Sequence, residues 1–190
     1  MIKIGNNLSE WSSYSCQPKT NEELKEIIND RISKDGPNCD LNDIDISQIK
    51  DMSYLFYESE FDGDISNWDV SNVKNMSHMF DESEFNGDIS KWNTSKVENM
   101  ERMFYNSKFN GDLSKWDVSS VKRMNSIFAY SEFNQDISRW NVSKVTNAYK
   151  MFFKSNFNQD ISKWKISKNC DTSDMFFYCS IKQEYKPKLK

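Results

Sequence analysis

Large apolar residues recur along most of this chain at one fixed interval. Tryptophans lie 24 residues apart, at Trp68, Trp92, Trp116, Trp140 and Trp164. Phenylalanine columns that begin at Phe61 and Phe80, and an isoleucine or leucine column that begins at Ile65, keep the same interval. A unit this short buries its apolar face only against a neighbouring unit. The period therefore predicts an array of stacked repeats with the tryptophans in its core.

The array divides without an insertion into six units, which we call copies 1 to 6. They span 37–60, 61–84, 85–108, 109–132, 133–156 and 157–180. Copies 1 and 6 are both degenerate. Copy 1 has Ile44 in the tryptophan column, and copy 6 has Asn169 and Thr172 at positions that are apolar elsewhere. Atypical units are expected at the two ends of an array.

Two short elements are predicted within each copy. Polar and apolar residues alternate around Ile65, which indicates a short β-strand, and Met76, Met79 and Phe80 have the spacing of one or two helical turns. One parallel strand and one helical turn per copy is leucine-rich-repeat geometry. We therefore expect an α/β repeat that winds into a solenoid.

The two ends of the chain are predicted to be a cap and a tail. Residues 1–36 form an N-terminal cap with a helix over about 20–33, in which Thr20 and Glu23 make a capping box and Gly36 stops the helix. The apolar stripe that would cover the array consists of Leu24, Ile27, Ile28 and Ile32. Residues 181–190 are polar and basic, and we expect a loose tail.

The repeat resembles that of a known family. Copy 3 reads FNGDISKW and then SKVENMERMF, which is similar to the BspA-like leucine-rich-repeat family of bacterial surface proteins, and more narrowly to the tryptophan-containing repeat of bacterial surface lipoproteins. The resemblance covers residues 37–180. It implies a right-handed, curved solenoid that binds proteins or host surfaces, and it implies no enzymatic activity.

Residues for catalysis or metal binding are few. The chain has one histidine, His78, no phosphate-binding loop, and four cysteines without metal-ligand spacing. We expect no enzyme, no cofactor, no metal and free thiols. The aspartate column that begins at Asp64 has some likeness to calcium-binding repeats, but we favour aspartates that accept backbone N–H bonds at turns. The serine column that begins at Ser71 is expected to cap the helical turns.

Three sets of columns could contact a partner. The first basic stripe consists of Lys91, Lys115, Arg139 and Lys163. The second consists of Lys96, Lys144 and Lys168. Either stripe could follow a phosphate backbone, or could be a solvated face on which each cation neutralises a nearby aspartate. The third set is aromatic: Tyr105, Tyr130 and Phe153. Aromatic and basic residues mixed on a rigid face are typical of protein interfaces and of surfaces that stack single-stranded nucleic acid.

Formal charge is distributed unevenly along the chain. Residues 1–84 contain 7 basic and 18 acidic residues, net −11, whereas residues 85–190 contain 18 basic and 11 acidic residues, net +7, for a total of −4. This asymmetry indicates an oriented encounter with a charged partner or head-to-tail self-association; drift in an unselected surface is an equal alternative.

The function expected from these patterns is that of a non-catalytic scaffold which binds a protein partner through the lateral face of the solenoid. One alternative is a nucleic-acid binder, or an inhibitor of a nucleic-acid machine such as a phage or defence-related inhibitor. Another is a bacterial surface adhesin. The chain contains no apolar run of membrane-spanning length and begins without a secretory signal. We therefore expect no membrane span and a cytoplasmic location, or a surface or secreted one if the chain is part of a longer protein.

Overall fold

A computed structural model describes residues 15–189; residues 1–14 of the predicted cap and residue 190 lie outside the described range. An α-helix, α1, spans Asn21–Asp35, and a 3₁₀-helix spans Gln183–Tyr185. Residues 37–180 consist of turns, extended connections and isolated parallel bridges. Among the described residues no strand is longer than one bridge, so neither predicted element of the copies is present in regular form.

Equivalent residues of consecutive copies lie next to each other. Parallel bridges form one continuous column through Asp51, Asn75, Asn99, Arg123, Asn147 and Asp171. The rings of Trp68 and Trp92, and of Trp92 and Trp116, are stacked with centroids 6.4 and 6.3 Å apart. Adjacency at a distance of 24 residues is thus a direct observation. The right-handed, leucine-rich-repeat-like winding stays a prediction.

The segment predicted as a helical turn is a run of interlocked turns that bonds to the next copy. In copy 2, the N–H groups of Met79, Asp81 and Ser83 each donate to the carbonyl three residues earlier. The alternate N–H groups, starting with Met76 and His78, donate to carbonyls of copy 3. In a helix, every N–H group after the first four would bond internally and would not reach the neighbouring copy. We call this segment the turn ladder; it spans 52–58, 76–82, 100–106, 124–130, 148–154 and 172–178.

Each turn ladder contains two residues with positive φ. None of them is glycine: they are Tyr54, Glu58, His78, Glu82, Arg102, Asn106, Ser126, Tyr130, Lys150, Lys154, Asp174 and Tyr178, with φ between 47° and 60°. In copy 2, His78 and Glu82 are the third residues of turns closed by i to i+3 hydrogen bonds, which is where a type II turn requires positive φ. The cost of about 1–2 kcal/mol for each such residue is offset by the bonds between copies.

The core is built from files of aromatic rings. Phe56, Phe80, Phe104, Phe128 and Phe152 are fully buried and continue to Phe176, with neighbouring centroids 5.5–5.8 Å apart. A second buried file begins at Phe61, with centroids 6.0–6.4 Å apart. Each of the five regular tryptophans is at most 5% exposed and donates its Nε1–H to a carbonyl 27 residues earlier, over 2.9–3.1 Å. A buried indole N–H thus finds its acceptor in the preceding copy.

Side-chain oxygens accept backbone N–H groups at the turns of each copy, which we call its corners. The column that begins at Asp64 accepts a backbone N–H two residues later, over 2.8–2.9 Å, which is the turn role expected of it. In the serine column, the backbone N–H of Ser71 donates to Asp69 and that of Ser95 to Asn93, where hydroxyl caps were expected. Asn86, Asn110 and their equivalents each accept the backbone N–H of the residue 24 positions later.

Helix α1 covers copy 1. Thr20 caps it by accepting the Glu23 N–H, and Glu23 in turn accepts the N–H of Lys19, one residue earlier than in a standard capping box. Leu24 and Ile28 are buried against the core, and Ile27 and Ile32 are partly buried. At the other end of α1, Gly36 has φ 87° and donates its N–H to Ile32.

The C-terminal residues are packed where a loose tail was expected. Ile181 is 5% exposed and occupies the column of Phe157, and the carbonyl of Tyr185 accepts the N–H of Ile161 at 3.0 Å. Pro187 is buried. Residues 181–187 therefore begin a seventh copy that covers part of copy 6, and apolar residues in the repeat columns explain why a segment of basic composition is ordered.

Candidate functional site

Exposed and half-buried aromatic rings form a continuous row along the turn ladders of copies 3 to 6. We call this row the aromatic ridge; it consists of Tyr105, Tyr130, Phe153, Phe177 and Tyr178. Neighbouring ring centroids are 5.3, 5.4, 5.8 and 4.3 Å apart in that order. Tyr130, Phe177 and Tyr178 are 42%, 49% and 72% exposed. The ridge thus presents apolar area to solvent on a backbone that is bonded to both neighbouring copies in copies 3 to 5 and to copy 5 alone in copy 6.

The ridge is continuous because one copy carries a small residue. Tyr105 and Phe153 occupy one column, and copy 4 has a buried alanine, Ala129, between them. The ring of Tyr130, one residue later, contacts both rings edge to face. The residue after the buried phenylalanine is at least partly exposed where it is aromatic, as in Tyr105, Phe153 and Phe177, and buried where it is Asp81 or Ala129.

Cations lie over several ridge rings. The Arg102 guanidinium carbon is 3.5 Å from the Tyr105 centroid, and Lys150 Nζ is 4.8 Å from that of Phe153. Lys154 Nζ is 5.4, 5.5 and 5.9 Å from the centroids of Tyr130, Phe153 and Tyr178. These are cation–π distances. A partner that supplies carboxylates and apolar side chains would find matching groups here.

The same face carries opposite charge in copies 1 and 2. A hydrogen bond to Glu58, with help from burial and neighbouring carboxylates, raises the pKa of Tyr57 to about 12. Tyr54 stacks on His78 with centroids 4.3 Å apart. The exposed Glu58 and Glu82 occupy the column that holds Lys154 and Tyr178 in copies 5 and 6. The face therefore changes from acidic to basic and aromatic along the array.

A buried ion pair separates these two regions. The Asp81 side chain is fully buried and accepts bonds from Arg102 Nε at 2.8 Å and from His78 Nδ1 at 2.7 Å. Burial disfavours the charge on Arg102, but the hydrogen bond and charge of Asp81 outweigh it and the pKa of the guanidinium is raised. Arg102 thereby joins Asp81 to the ring of Tyr105 and fixes the first ring of the ridge.

The first predicted basic stripe lies on another part of the copies. Lys91, Lys115, Arg139 and Lys163 are all exposed. Each follows an aspartate by three residues, and the lysine contributes to the lowered pKa of that aspartate, after the larger effect of the serine N–H bond, as in Asp88 and Asp112. Negative and positive columns alternate here, which weakens the stripe as a track for phosphates.

The second basic stripe gains cations that the sequence interpretation missed. Lys96 and Lys144 border a surface depression of about 330 Å³ together with Lys74 and Lys122. Glu98 also lines it, and the pKa of this glutamate is lowered by its hydrogen bond from Lys122 at 2.6 Å. Lys168 is exposed but does not border the depression. The signal for Lys74 and Lys122 was present in the sequence as a column two positions after that of Lys96, in which Glu98 stands between the two lysines.

The predicted aromatic residues are therefore brought together and the basic stripes are not joined to them. Arg102, Lys150 and Lys154 were missed as partners of the rings, because cation–π contacts depend on the turn geometry.

The five tryptophans are buried and offer no ligand platform. Among the described residues, no group of three or more histidine, cysteine or acidic side chains could hold a metal, and all four cysteines are free. None of the helices within residues 15–189 has the length and apolar character of a membrane-spanning helix.

Comparison with known proteins places the chain in a family. A model of the family described as a Mycoplasma protein of unknown function, DUF285, matches residues 23–132 and again residues 105–187. The chain belongs to the DUF285 family. The two overlapping matches agree with a repeat protein, and the DUF285 description assigns no activity. No curated protein matches the chain, and no solved structure does.

Proposed function

We propose that this DUF285 protein is a non-catalytic scaffold, wound as a leucine-rich-repeat-like solenoid, that binds a protein partner through its lateral face. The observation that carries the proposal is the aromatic ridge with its cations. Protein interfaces are enriched in tyrosine, phenylalanine and arginine, and the residues that dominate affinity cluster in well-packed patches of this composition. The partner surface that fits is apolar with acidic groups at its edge.

The backbone of the scaffold supports the same proposal. Every ridge residue belongs to a turn ladder in which alternate N–H groups bond to the following copy and the others bond within the copy, apart from copy 6, where the alternate N–H groups have no acceptor among residues 15–189. Neighbouring rings restrict one another by contact, as Tyr130 does between Tyr105 and Phe153. Binding by a pre-ordered surface avoids much of the entropy loss that flexible side chains and loops incur.

The test compares proteins captured by three baits from a lysate of the source organism. The baits are the wild type, a ridge variant with Tyr130→Ser, Phe177→Ser and Tyr178→Ser, and a control variant with Lys91→Ser, Lys115→Ser and Lys163→Ser. All three changes in each variant are at exposed positions. Quantitative mass spectrometry after nuclease treatment should find proteins that the wild type and control capture and the ridge variant loses. If the ridge variant captures the same proteins equally well, the ridge is not the binding site.

A second candidate function is nucleic-acid binding, which the depression between Lys74, Lys96, Lys122 and Lys144 favours. Four lysines converge there with one glutamate. Fluorescence anisotropy with a labelled single-stranded oligonucleotide would show binding that falls steeply with salt, because phosphate contacts release counterions. Lys122→Glu with Lys144→Glu should abolish this binding, whereas the ridge variant should retain it. The roles as an inhibitor of a nucleic-acid machine and as a surface adhesin stay predictions.

A further inference from the structure

The hydrogen bonds between turn ladders all point the same way. In each of the five junctions, four alternate N–H groups of one copy donate to carbonyls of the following copy. The first junction shows the pattern: Met52 donates to Asn75, Tyr54 to Ser77, Phe56 to Met79 and Glu58 to Asp81, over 2.8–3.0 Å. An ordinary parallel β-sheet mixes donors and acceptors along each edge. These ladders instead align their peptide dipoles along the array, as a helix does along its axis.

The two ends of the aligned ladders are therefore chemically different. In copy 6, no residue within 15–189 accepts the N–H groups of Thr172, Asp174, Phe176 and Tyr178, while the carbonyls of this ladder are used. The corresponding groups of copy 1 are carbonyls, one of which, on Ser53, accepts the side chain of Asn21. On each side of the ladders, a row of hydrogen bonds runs the other way, from N–H groups of one copy to carbonyls of the preceding copy, as in the bond from the Lys74 N–H to the Lys50 carbonyl. These flanking bonds are fewer than the four ladder bonds, so unbonded N–H groups outnumber the flanking carbonyls at copy 6. We call this row of donors the open edge.

Formal charge along the chain has the same direction as this backbone dipole, whereas the charges at the ends of a helix usually oppose the helix dipole. Helices gain stability when anions lie at the N–H end and cations at the C=O end. The carbonyl end lies in copy 1 beneath α1, and residues 15–60 contain 5 basic and 11 acidic residues, whereas copy 6 and the tail, 157–190, contain 7 basic and 4 acidic residues. Asn21 and Lys25 of α1 donate to two carbonyls of copy 1, so the uncompensated backbone groups are the N–H groups of copy 6. Contact of these N–H groups with the carboxylates of α1 in a second molecule compensates them.

Helix α1 provides the acidic surface for such a contact. Its first turns lie over the start of the copy 1 ladder, because Asn21 Nδ2 donates to the Ser53 carbonyl and Lys25 Nζ to that of Tyr54. Glu22 and Glu26, one turn apart, are exposed. In the repeat register, Ser53 and Tyr54, which accept from Asn21 and Lys25, correspond to Ser173 and Asp174 in the ladder of copy 6. Among residues 15–189, no hydrogen bond joins the tail 181–187 to the open edge, and Lys186 Nζ lies 5.6 Å from the ring centroid of Phe176 beside it.

We infer that the protein associates head to tail with a second copy of itself, the acidic outer face of α1 in one molecule contacting the open edge and the tail lysines Lys182 and Lys186 of the next. The contact is heterologous and leaves one free end of each kind, so a molecule can add at either end and the product is a linear filament. This inference differs from the lateral binding function because it uses the ends of the array; the two surfaces share Tyr178, whose ring belongs to the ridge and whose N–H belongs to the open edge.

Sedimentation velocity of the wild type at rising concentration and low ionic strength should show species larger than the 22.5 kDa chain. These species should decline at high salt, because exposed charges are screened. Two charge-reversed variants, Glu22→Lys with Glu26→Lys and Lys182→Glu with Lys186→Glu, should each weaken association by at least about tenfold. An equimolar mixture of the two variants should restore it, since each head then meets a tail of opposite sign.

Two further variants separate this contact from others. Asp174→Asn removes a carboxylate from the open edge and should strengthen association. Lys91→Glu with Lys115→Glu, in the first basic stripe of copies 3 and 4, should leave it unchanged. Circular dichroism verifies that each variant is folded. A wild type that stays monomeric at low salt overturns the inference. So does association that neither charge-reversed variant weakens, or a mixture that fails to restore it.

Discussion

Copies 2 to 5 and copy 6 contain the same residue columns but differ in what covers them. Phe152 is completely buried between Phe128 and Phe176, whereas Phe176 itself is only partly buried. A small cavity of about 10 Å³ lies in the last part of the core beside Trp164 and Cys170. The difference shows that the following copy buries the core residues of each copy. Identical residues therefore contribute less to stability where the following copy is missing or degenerate.

The largest effect is expected from replacing a tryptophan in each of the two regions. Trp116→Ala should lower the free energy of unfolding by about 3–5 kcal/mol, because a buried indole is removed and a cavity remains. Trp164→Ala should cost about 1–2 kcal/mol less, since its surroundings are already loosely packed and no tryptophan follows it. Urea unfolding followed by circular dichroism measures both. Equal losses, or a larger loss for Trp164→Ala, would contradict the comparison.

The buried ion pair offers a second comparison between copies. Asp81 in copy 2 and Ala129 in copy 4 occupy the same column, and both are buried. Arg102→Ala should destabilise the protein by about 2 kcal/mol, less than the 3–5 kcal/mol typical of fully buried pairs. The reasons are that the Arg102 side chain is 30% exposed and that His78 remains bonded to Asp81.

The control is the double variant Arg102→Ala with Asp81→Ala, which places in copy 2 the alanine that copy 4 already has. It should recover most of the stability that Arg102→Ala loses, because no unpaired carboxylate remains buried. If the double variant were no more stable than Arg102→Ala alone, the loss would come from packing of the arginine stem against Tyr105.

The spacing of the tryptophans predicted which residues are neighbours, because side-chain size and register alone determine which copies can stack. The pattern did not predict the turn ladder. Met76, Met79 and Phe80 have the same spacing in a helix as in a run of interlocked turns, and periodicity cannot tell whether an N–H group bonds within its copy or to the next. The twelve non-glycine residues with positive φ left no sequence signal, since the neighbouring copies enforce that conformation.

The candidate site was partly predictable for a similar reason. Tyr105, Tyr130 and Phe153 were identified from composition, and their columns placed them near each other. Arg102 was missed because its role depends on Asp81, which is buried in a column that is aromatic in copies 1, 3, 5 and 6. Ordering of the tail was missed because basic residues dominate its composition, although Ile181 and Tyr185 continue the apolar columns.

Glycine at a ladder position tests whether the copies impose the strained conformation. Glu82 is exposed and has φ 57°, so Glu82→Gly relieves the strain and should stabilise the protein by up to about 1 kcal/mol after the entropy cost of glycine. Glu84, also exposed and in the same copy, does not have positive φ. Glu84→Gly should therefore destabilise by about 0.5–1 kcal/mol. Thermal unfolding measures the stability of both variants. A lower melting temperature for Glu82→Gly than for the wild type would show that the positive φ at this position is not strained.

The smallest expected effect at neutral pH concerns the aspartate corners of the middle copies. The N–H of the serine two residues later, followed by other nearby groups, holds the pKa of Asp88, Asp112 and Asp136 below the ordinary value. A carboxyl whose pKa is lowered on folding stabilises the protein above its unfolded pKa of about 4. That stabilisation is lost as the pH falls through the lower folded pKa. The wild type should therefore lose melting temperature steeply below about pH 4.

Asparagine separates the hydrogen bond from the charge at these corners. Asn93 and Asn141 already accept serine N–H groups in the column where Asp69 and Asp117 do the same, so the amide oxygen is an adequate acceptor. The triple variant Asp88→Asn, Asp112→Asn and Asp136→Asn should melt near the wild type at pH 7 but fall less steeply below about pH 4. Parallel curves for the two proteins would mean that other carboxylates, such as those of the acidic copies 1 and 2, control acid unfolding.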